Sequence, residues 1–286
     1  MLDDQSMKIP FPSEKFDRQI WPGVRSVIAL AVALILLVPG AIAGGLAPHV
    51  AQYTMKLLSA RSGSNVESVG GDMLVRWDGD CAGWTMTNRT VFDVGYTGGD
   101  RVRIAMDATS WESAPGDRYT FLVRTWFNEK ESDRIEGTAR LGGDSPVANF
   151  ISPVKKQIVL PRDTILPTQH TKTVLASAGG KPRIVRANVF DGFTFGGAQF
   201  VNAIIGGRLA QRNGPHSAFP ALRQLSAWNV NLAFFPTGKA DAEPDSEISL
   251  KIFANGIAER MDMDFGDFRV RGDLKKVNIA RPPACK

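Results

Sequence analysis

Two cysteines, Cys81 and Cys285, are the only thiols in the 286 residues. They do not form the C-x-x-C spacing of a thiol oxidoreductase. In an oxidising compartment an isolated pair favours a structural disulfide. A loop of about 200 residues closed this way stabilises a fold by roughly 5 kcal/mol in the chain-entropy model. The three histidines, His49, His170 and His216, have no second histidine or cysteine at metal-ligand spacing. They read as ordinary polar or capping residues, and no metal site is assigned. Carboxylates such as Glu112, Asp117, Asp191, Asp262, Asp264 and Asp267 could do acid–base work only if two of them face one another across a cleft. Trp77, Trp84, Trp111, Trp126 and Trp228 could stack on sugars, but within strands such rings more often pack as core or cross-strand partners. No G-x-S-x-G, H-E-x-x-H, P-loop or strand-linked G-x-G-x-x-G occurs. The pairs Gly196-Gly197 and Gly206-Gly207 lack the Lys-Ser/Thr that a phosphate cradle requires. No catalytic residue, cofactor or ligand-binding residue is therefore assigned.

Residues must be delivered before they can act, and the N-terminus reads as an address. Val27 to Val38 is an uncharged apolar run preceded by Arg18 and Arg25, broken by Pro39-Gly40 and followed by Ala41-Ile42-Ala43. Positive flank, short apolar stretch and a small-x-small site form the secretory signal pattern, with cleavage between Ala43 and Gly44. A helix of that run rises only about 18 Å, short of a bilayer core of about 30 Å. The alternative is an uncleaved anchor, if the uncharged stretch continues to Ala47. Met1 and Met7 are both candidate starts. No cysteine closely follows the run, so a lipid-bearing mature N-terminus is not indicated. The division is residues 1–43 as signal peptide and 44–286 as one β-rich periplasmic domain.

Hydrophobic residues make up 43% and charged residues 22% of the chain, enough to build a full core. The formal net charge is +5, and the four basic and four acidic residues up to Ala43 cancel, so the remainder carries all of it. The densest basic stretches, Lys181 to Arg186 and Arg269 to Lys276, read as solvated strand faces. A nucleic-acid partner is not expected, and contact with a membrane is peripheral at most.

Period-2 alternation dominates beyond the address. Tyr119, Phe121, Val123, Thr125 and Phe127 share one face, and Val230, Leu232 and Phe234, then Ile248, Leu250 and Ile252, repeat the pattern. Further strands are expected at 50–58, 69–77, 83–93, 101–109, 133–141, 155–160, 183–190 and 267–279, with only approximate alternation at 257–265. Turn signals at Asp78-Gly79, Gly98-Gly99-Asp100, Pro115-Gly116-Asp117, Gly142-Gly143-Asp144 and Asn255-Gly256 cut the chain into antiparallel hairpins. A helix is expected over 168–178, opened by Pro167-Thr168 and stopped by Gly179-Gly180, with His170, Val174 and Ala178 on one side. A second is expected over 197–212. Residues 211–226 and 237–246 read as loops. Several strands are apolar on both faces, so something must cover the sheet: a helix, or the sheet curling on itself.

Certain strings narrow this reading. Cys81-Ala82-Gly83-Trp84, Ser110-Trp111-Glu112-Ser113, Tyr119-Thr120-Phe121, Glu136-Gly137-Thr138-Ala139, Leu160-Pro161 through Pro167 and His170, Val189-Phe190-Asp191-Gly192, Asn255-Gly256-Ile257 and Cys285 follow in this order. The set resembles the envelope integrity protein B family of alphaproteobacteria, a periplasmic domain-of-unknown-function family, over about residues 48–285. The resemblance implies a mainly β fold: a many-stranded antiparallel curved sheet, an open β-spiral or half-barrel around one or two helices, similar to periplasmic lipoprotein carriers. It also implies a Cys81–Cys285 disulfide and a role in cell-envelope integrity, and it supplies no catalytic residue. The leading expectation is a non-catalytic periplasmic protein that holds a lipid, lipoprotein or protein partner in the curve of its sheet. The alternative is a periplasmic glycan- or peptide-acting hydrolase using paired carboxylates.

Overall fold

A computed structural model describes residues 45–143, 145–180, 183–210, 217–236 and 243–285. The expected Ala43–Gly44 cleavage site and His216 lie outside the described residues. So do Lys181 and Pro182, and part of each expected loop, at 211–216 and 237–242.

Among the described residues, fifteen strands form one sheet. The first half is a run of hairpins: β1 (His49–Ala60), β2 (Val66–Gly79), β3 (Gly83–Tyr96), β4 (Arg101–Ser113), β5 (Arg118–Phe127), β6 (Lys130–Arg140), β7 (Val147–Ser152) and β8 (Lys156–Val159). The chain then forms a two-residue strand, β9 (Thr164–Ile165), and the helix α1 (Pro167–Ala178). The second half returns through β10 (Ile184–Val189), β11 (Gln199–Arg208), β12 (Ala227–Pro236), β13 (Ser246–Phe253), β14 (Ala258–Asp264) and β15 (Phe268–Ile279). A single 3-10 turn at Pro220–Leu222 precedes β12. All pairings are antiparallel except β9 with β10.

The spatial order runs from β8 down to β1, then β15 down to β9. The strand nearest the N-terminus and the strand nearest the C-terminus thus meet in the middle, where His49 lies opposite Ile279 and Ala60 opposite Phe268. The two outer edges, β8 and β9, are joined by residues 160–163 alone. Five peptide steps from Val159 to Thr164 reach at most about 19 Å. Laid flat, fifteen strands at about 4.8 Å spacing would separate those edges by roughly 67 Å. The sheet must therefore curl until its edges nearly meet, which is the curved open architecture that the family resemblance implies.

The edges are bridged by side chains. Phe150 of β7 packs edge-on against Phe195, with centroids 4.9 Å apart, and Phe121 of β5 meets Phe190 at 5.5 Å. The Tyr119 hydroxyl donates to the carbonyl of Asp191 at 3.0 Å. Gly192, at φ +71°, allows the 190–198 segment to come this close, because a Cβ there would strike the Phe121 ring.

Where the structure departs from expectation, apolar residues on both faces are the cause. The expected second helix is strand β11. Val201, Ala203 and Ile205 point inward and are buried, while Ile204 is 54% exposed on the other side. Val201 with Ile205 and Phe200 with Ile204 also fit helical i, i+4 spacing, so periodicity alone could not choose. Strand β7 hides in VANFIS, and β9 is too short to carry any pattern.

The inward face tolerates glycine where neighbours are tight. A Cβ at Gly71 would collide with the carbonyl oxygen of Val91, whereas one at the adjacent Gly70 meets nothing within 4 Å. Gly71→Ala is expected to cost about 1–3 kcal/mol through overpacking. Gly70→Ala should change stability by no more than about 0.5 kcal/mol. Urea unfolding of both variants checks the contrast, and equal effects would contradict the register described for β2 and β3.

Candidate functional site

The register sorts side chains into an outer and an inner face. Outward positions carry charge, paired across strands: Arg89 with Asp107 (3.2 Å), Arg103 with Asp93 (3.3 Å), Arg271 with Asp262 (2.6 Å) and Lys56 with Asp273 (2.7 Å). The more exposed of these pairs, such as Arg89–Asp107 and Arg103–Asp93, contribute little to stability, typically about 0–1 kcal/mol each. Their placement is informative, because a membrane-spanning barrel carries an apolar band on its outside. Here the apolar side is the inside.

One inward row crosses eight strands. Cross-strand pairing links Leu250, Met261, Gly272, Met55, Gly71, Phe92, Ile104 and Phe127 in succession. Met55 lies between the two glycines and is buried; a Cβ at Gly272 would press on its sulfur. Away from that centre the row opens. Leu250, Met261, Phe92 and Ile104 are half-buried and Phe127 is 46% exposed. The next inward row repeats the chemistry with Ile248, Met263 and Val270, then Val69, Val94 and Val102. Apolar side chains held on a concave surface, yet not fully covered, are what an apolar ligand requires.

Helix α1 fills another part of the curve. Leu166 precedes it and provides no side-chain cap. The cap comes from β4: the Glu112 carboxylate accepts the N–H groups of Thr168 (2.7 Å) and Gln169 (3.1 Å). A carboxylate there satisfies two orphan donors and meets the positive end of the helix dipole. Burial nevertheless pushes the Glu112 carboxyl above its usual range, against those hydrogen bonds and nearby Lys172. Val174, Leu175 and Ala178 then pack against Val185, Ala203, Ile205 and Trp228. A cleft of about 280 Å³ remains beside the helix, lined by Leu46, Lys172, Leu175, Trp228 and Ala254 among others.

The residues singled out for chemistry are dispersed. Glu112 is a cap. Asp117 is bonded to the Ser113 hydroxyl and Asp191 accepts the Phe193 N–H. Asp262 and Asp264 face outward with Arg271 and Arg269. The Asp267 carbonyl receives the Arg61 N–H. Trp77 and Trp84 stack edge-to-face inside at 6.1 Å, and Trp228 is buried. Trp111 and Trp126 lie outward under Arg118 and Arg124. Among the described residues no group of three or more His, Cys, Asp or Glu side chains is placed to hold a metal ion.

Cys81 and Cys285 are brought to disulfide distance, with Cα atoms 5.4 Å apart across 204 residues of sequence. The Asp80 carboxylate builds the β2–β3 turn by accepting the N–H groups of Ala82 (2.9 Å) and Gly83 (2.8 Å), which leaves Cys81 at the exposed tip. The C-terminal tail makes its last main-chain bond from Ala280 to Pro48 and then runs out to Cys285.

Sequence reasoning did not find the inward row, since its members come from eight separate strands. Each strand's apolar face was readable, but which residue stands beside which is not a local property.

Comparison with known proteins gives a consistent answer. Residues 40–281 match the family model described as EipB-like. The chain is 26% identical over 265 residues to the cell envelope integrity protein EipB of Brucella abortus, covering 91% of this chain and 90% of that protein. The crystal structure of a β-barrel-like protein of a domain of unknown function, also from Brucella abortus, superposes with a TM-score of 0.77 at 25% identity. That match covers 82% of this chain and 99% of the other.

Two buried histidines give the fold a pH dependence. His170 lies on the buried side of α1 with its Nε2 unpartnered, and burial lowers its pKa from 6.5 to about 4. His49 is also lowered by burial, although its Nδ1 bonds to the Ala47 carbonyl at 2.7 Å. A histidine that folding holds neutral stabilises fully above its unfolded pKa, and that contribution is lost as pH falls from 6.5 toward 4. For His170 it is on the order of 3 kcal/mol. Glu112 and Asp191, both raised by burial, act in the opposite direction. His170→Leu should therefore lose less stability than the parent between pH 6.5 and 4.5, in urea titrations at each pH. Parallel pH profiles for the two proteins would contradict the assignment.

Proposed function

The chain belongs to the EipB-like family, and on that premise we propose that it supports the integrity of the cell envelope from the periplasm without catalysing a reaction. Its task is to shelter the acyl chain of a lipid or lipoprotein against the inward face of its curved sheet. The observation that carries this reading is the inward row from Leu250 through Met55 to Phe127, apolar across eight strands and half-open on both flanks. The charged outer face supports an aqueous setting. The commitment of Glu112, Asp117 and Asp191 to turns and caps supports a role that does not depend on carboxylate chemistry. The similarity to the cell envelope integrity protein of Brucella abortus supports the envelope role. Export through the residue 1–43 segment, with cleavage after Ala43, belongs to the same proposal.

The Cys81–Cys285 pair is read as a staple that forms in the oxidising periplasm. It ties the tail after β15 to the β2–β3 turn and restricts the unfolded chain. Such a bond typically contributes about 2–4 kcal/mol. Cys81→Ser and Cys285→Ser should each lower the melting temperature, and the double variant should be little worse than either single one, since one interaction is lost in all three. Two reactive thiols per chain in unfolded, unreduced protein from the periplasm would contradict the bond.

The sheltering role is tested with cis-parinaric acid, a fluorescent fatty acid, titrated into the protein without residues 1–43. The expected outcome is saturable binding, weakened about tenfold or more in Ile104→Glu and Met261→Glu. Circular dichroism should show both variants folded. Absence of binding, or binding indifferent to both substitutions, would remove this reading of the concave face.

A further inference from the structure

We propose that the seam between the two sheet edges is a docking groove for an extended peptide with acidic ends, which pairs main chain to main chain with the free edge of β8. The seam lies apart from the inward row, so this proposal and the acyl-chain reading stand or fall separately.

The first observation is the edge. Strand β8 pairs with β7 on one side, and nothing follows it in the sheet. The Leu160 N–H donates to the Pro146 carbonyl, and the register places Ile158 opposite Ala148 and Lys156 opposite Phe150. In an antiparallel pair, hydrogen-bonded and non-hydrogen-bonded positions alternate. The intervening Gln157 and Val159 therefore turn their N–H and C=O groups away from β7. Among the described residues neither main chain has a hydrogen-bond partner on that side.

The second observation is the space. A cleft of about 440 Å³ opens beside this edge. Ile158, Val159 and Pro161 form one wall; Gly196, Gly197 and Ala198 are part of the other. Val159 is 71% exposed and Ile151, on the same outer face, 55%. An edge with unpaired donors and acceptors, next to a cleft and flanked by exposed apolar side chains, matches strand addition. Only another extended main chain supplies alternating donors and acceptors at the β spacing.

The third observation is charge, and it selects the occupant. Lys155 precedes β8 and Arg162 follows it; both are exposed, and neither has a carboxylate partner within 4 Å among the described residues. A second copy pairing β8 against β8 in antiparallel fashion would bring Lys155 of one chain toward Arg162 of the other, a like-charge contact. A peptide with a carboxylate at each end meets both cations instead. Asp245 also lines the groove, so the middle of the peptide must carry no carboxylate.

The probe is the acetylated, fluorescein-labelled peptide Glu-Thr-Val-Thr-Val-Thr-Glu, followed by fluorescence anisotropy on the protein without residues 1–43. Saturable binding is expected with Kd on the order of 10–100 µM, weakened about tenfold when the valine nitrogens are methylated. Val159→Pro removes only an N–H that faces the groove, a place where edge strands accept proline, and should abolish binding without lowering the melting temperature. Should that variant unfold, Lys155→Glu/Arg162→Glu provides the second arm. It should lose the acidic peptide and gain the counterpart carrying lysine at both ends. No saturation, or binding indifferent to methylation and to both variants, overturns the proposal. Sedimentation showing a dimer that Val159→Pro dissociates would also overturn it, by assigning the edge to a second copy.

Discussion

The architecture depends on the short crossing from β8 to β9. Residues 160–163 connect the two outermost strands of a fifteen-stranded sheet, and no stretch of four residues can cross the width of that sheet laid flat. Curvature is thus imposed by connectivity and needs no separate explanation strand by strand. Leu160, buried in the Phe121, Phe150 and Phe190 cluster, anchors the crossing at its start. Leu166, in the same cluster and fully buried, anchors it at its end, immediately before the helix.

Once the edges are drawn together, the interior has to be filled, and the chain does this in three different ways. Aromatic rings close the seam side. The helix, with its cap borrowed from β4, packs over β10 and β11. Leu222 from the 3-10 turn joins Met55, Tyr53 and Phe253 in the remaining cluster. Phe92 and Ile104 pack against that last cluster and are half-buried, and the row becomes exposed at Phe127. The half-exposed apolar surface is thus a remainder left by a curvature larger than its fillings.

Much of the β architecture was legible in the sequence because alternation is local. Tyr119, Phe121 and Val123 announce a strand with one buried face, and they form one. The helix was legible because Pro167 and Gly179-Gly180 bracket a run with i, i+4 apolar spacing. Strand β11 was not, since Phe200 and Ile204 place apolar side chains on its outer face and blur the period. The Glu112 cap was equally hidden: its partners lie 56 and 57 residues away, and nothing around Leu166 marks a missing local cap. The strings that carry the family resemblance prove to be structural. Glu112, Tyr119, Phe121, Gly137 and Phe190-Asp191-Gly192 gather around the helix start and the seam, which explains how they could identify a fold without pointing to a reaction.

The pairing of β1 with β15 has a consequence in time. A chain made from its N-terminus can complete β1 through β8 as successive hairpins, each strand finding its partner just ahead. The far side of β1 cannot pair until Phe268–Ile279 arrives, more than two hundred residues later. That wait lasts as long as the delivery of the intervening residues. Throughout it, Met55 and Tyr53 stand on an uncapped edge of the kind that recruits other chains. The nascent protein therefore passes through a long interval in which it is half a sheet, and its yield depends on whatever keeps that edge solitary until its own last strand closes it.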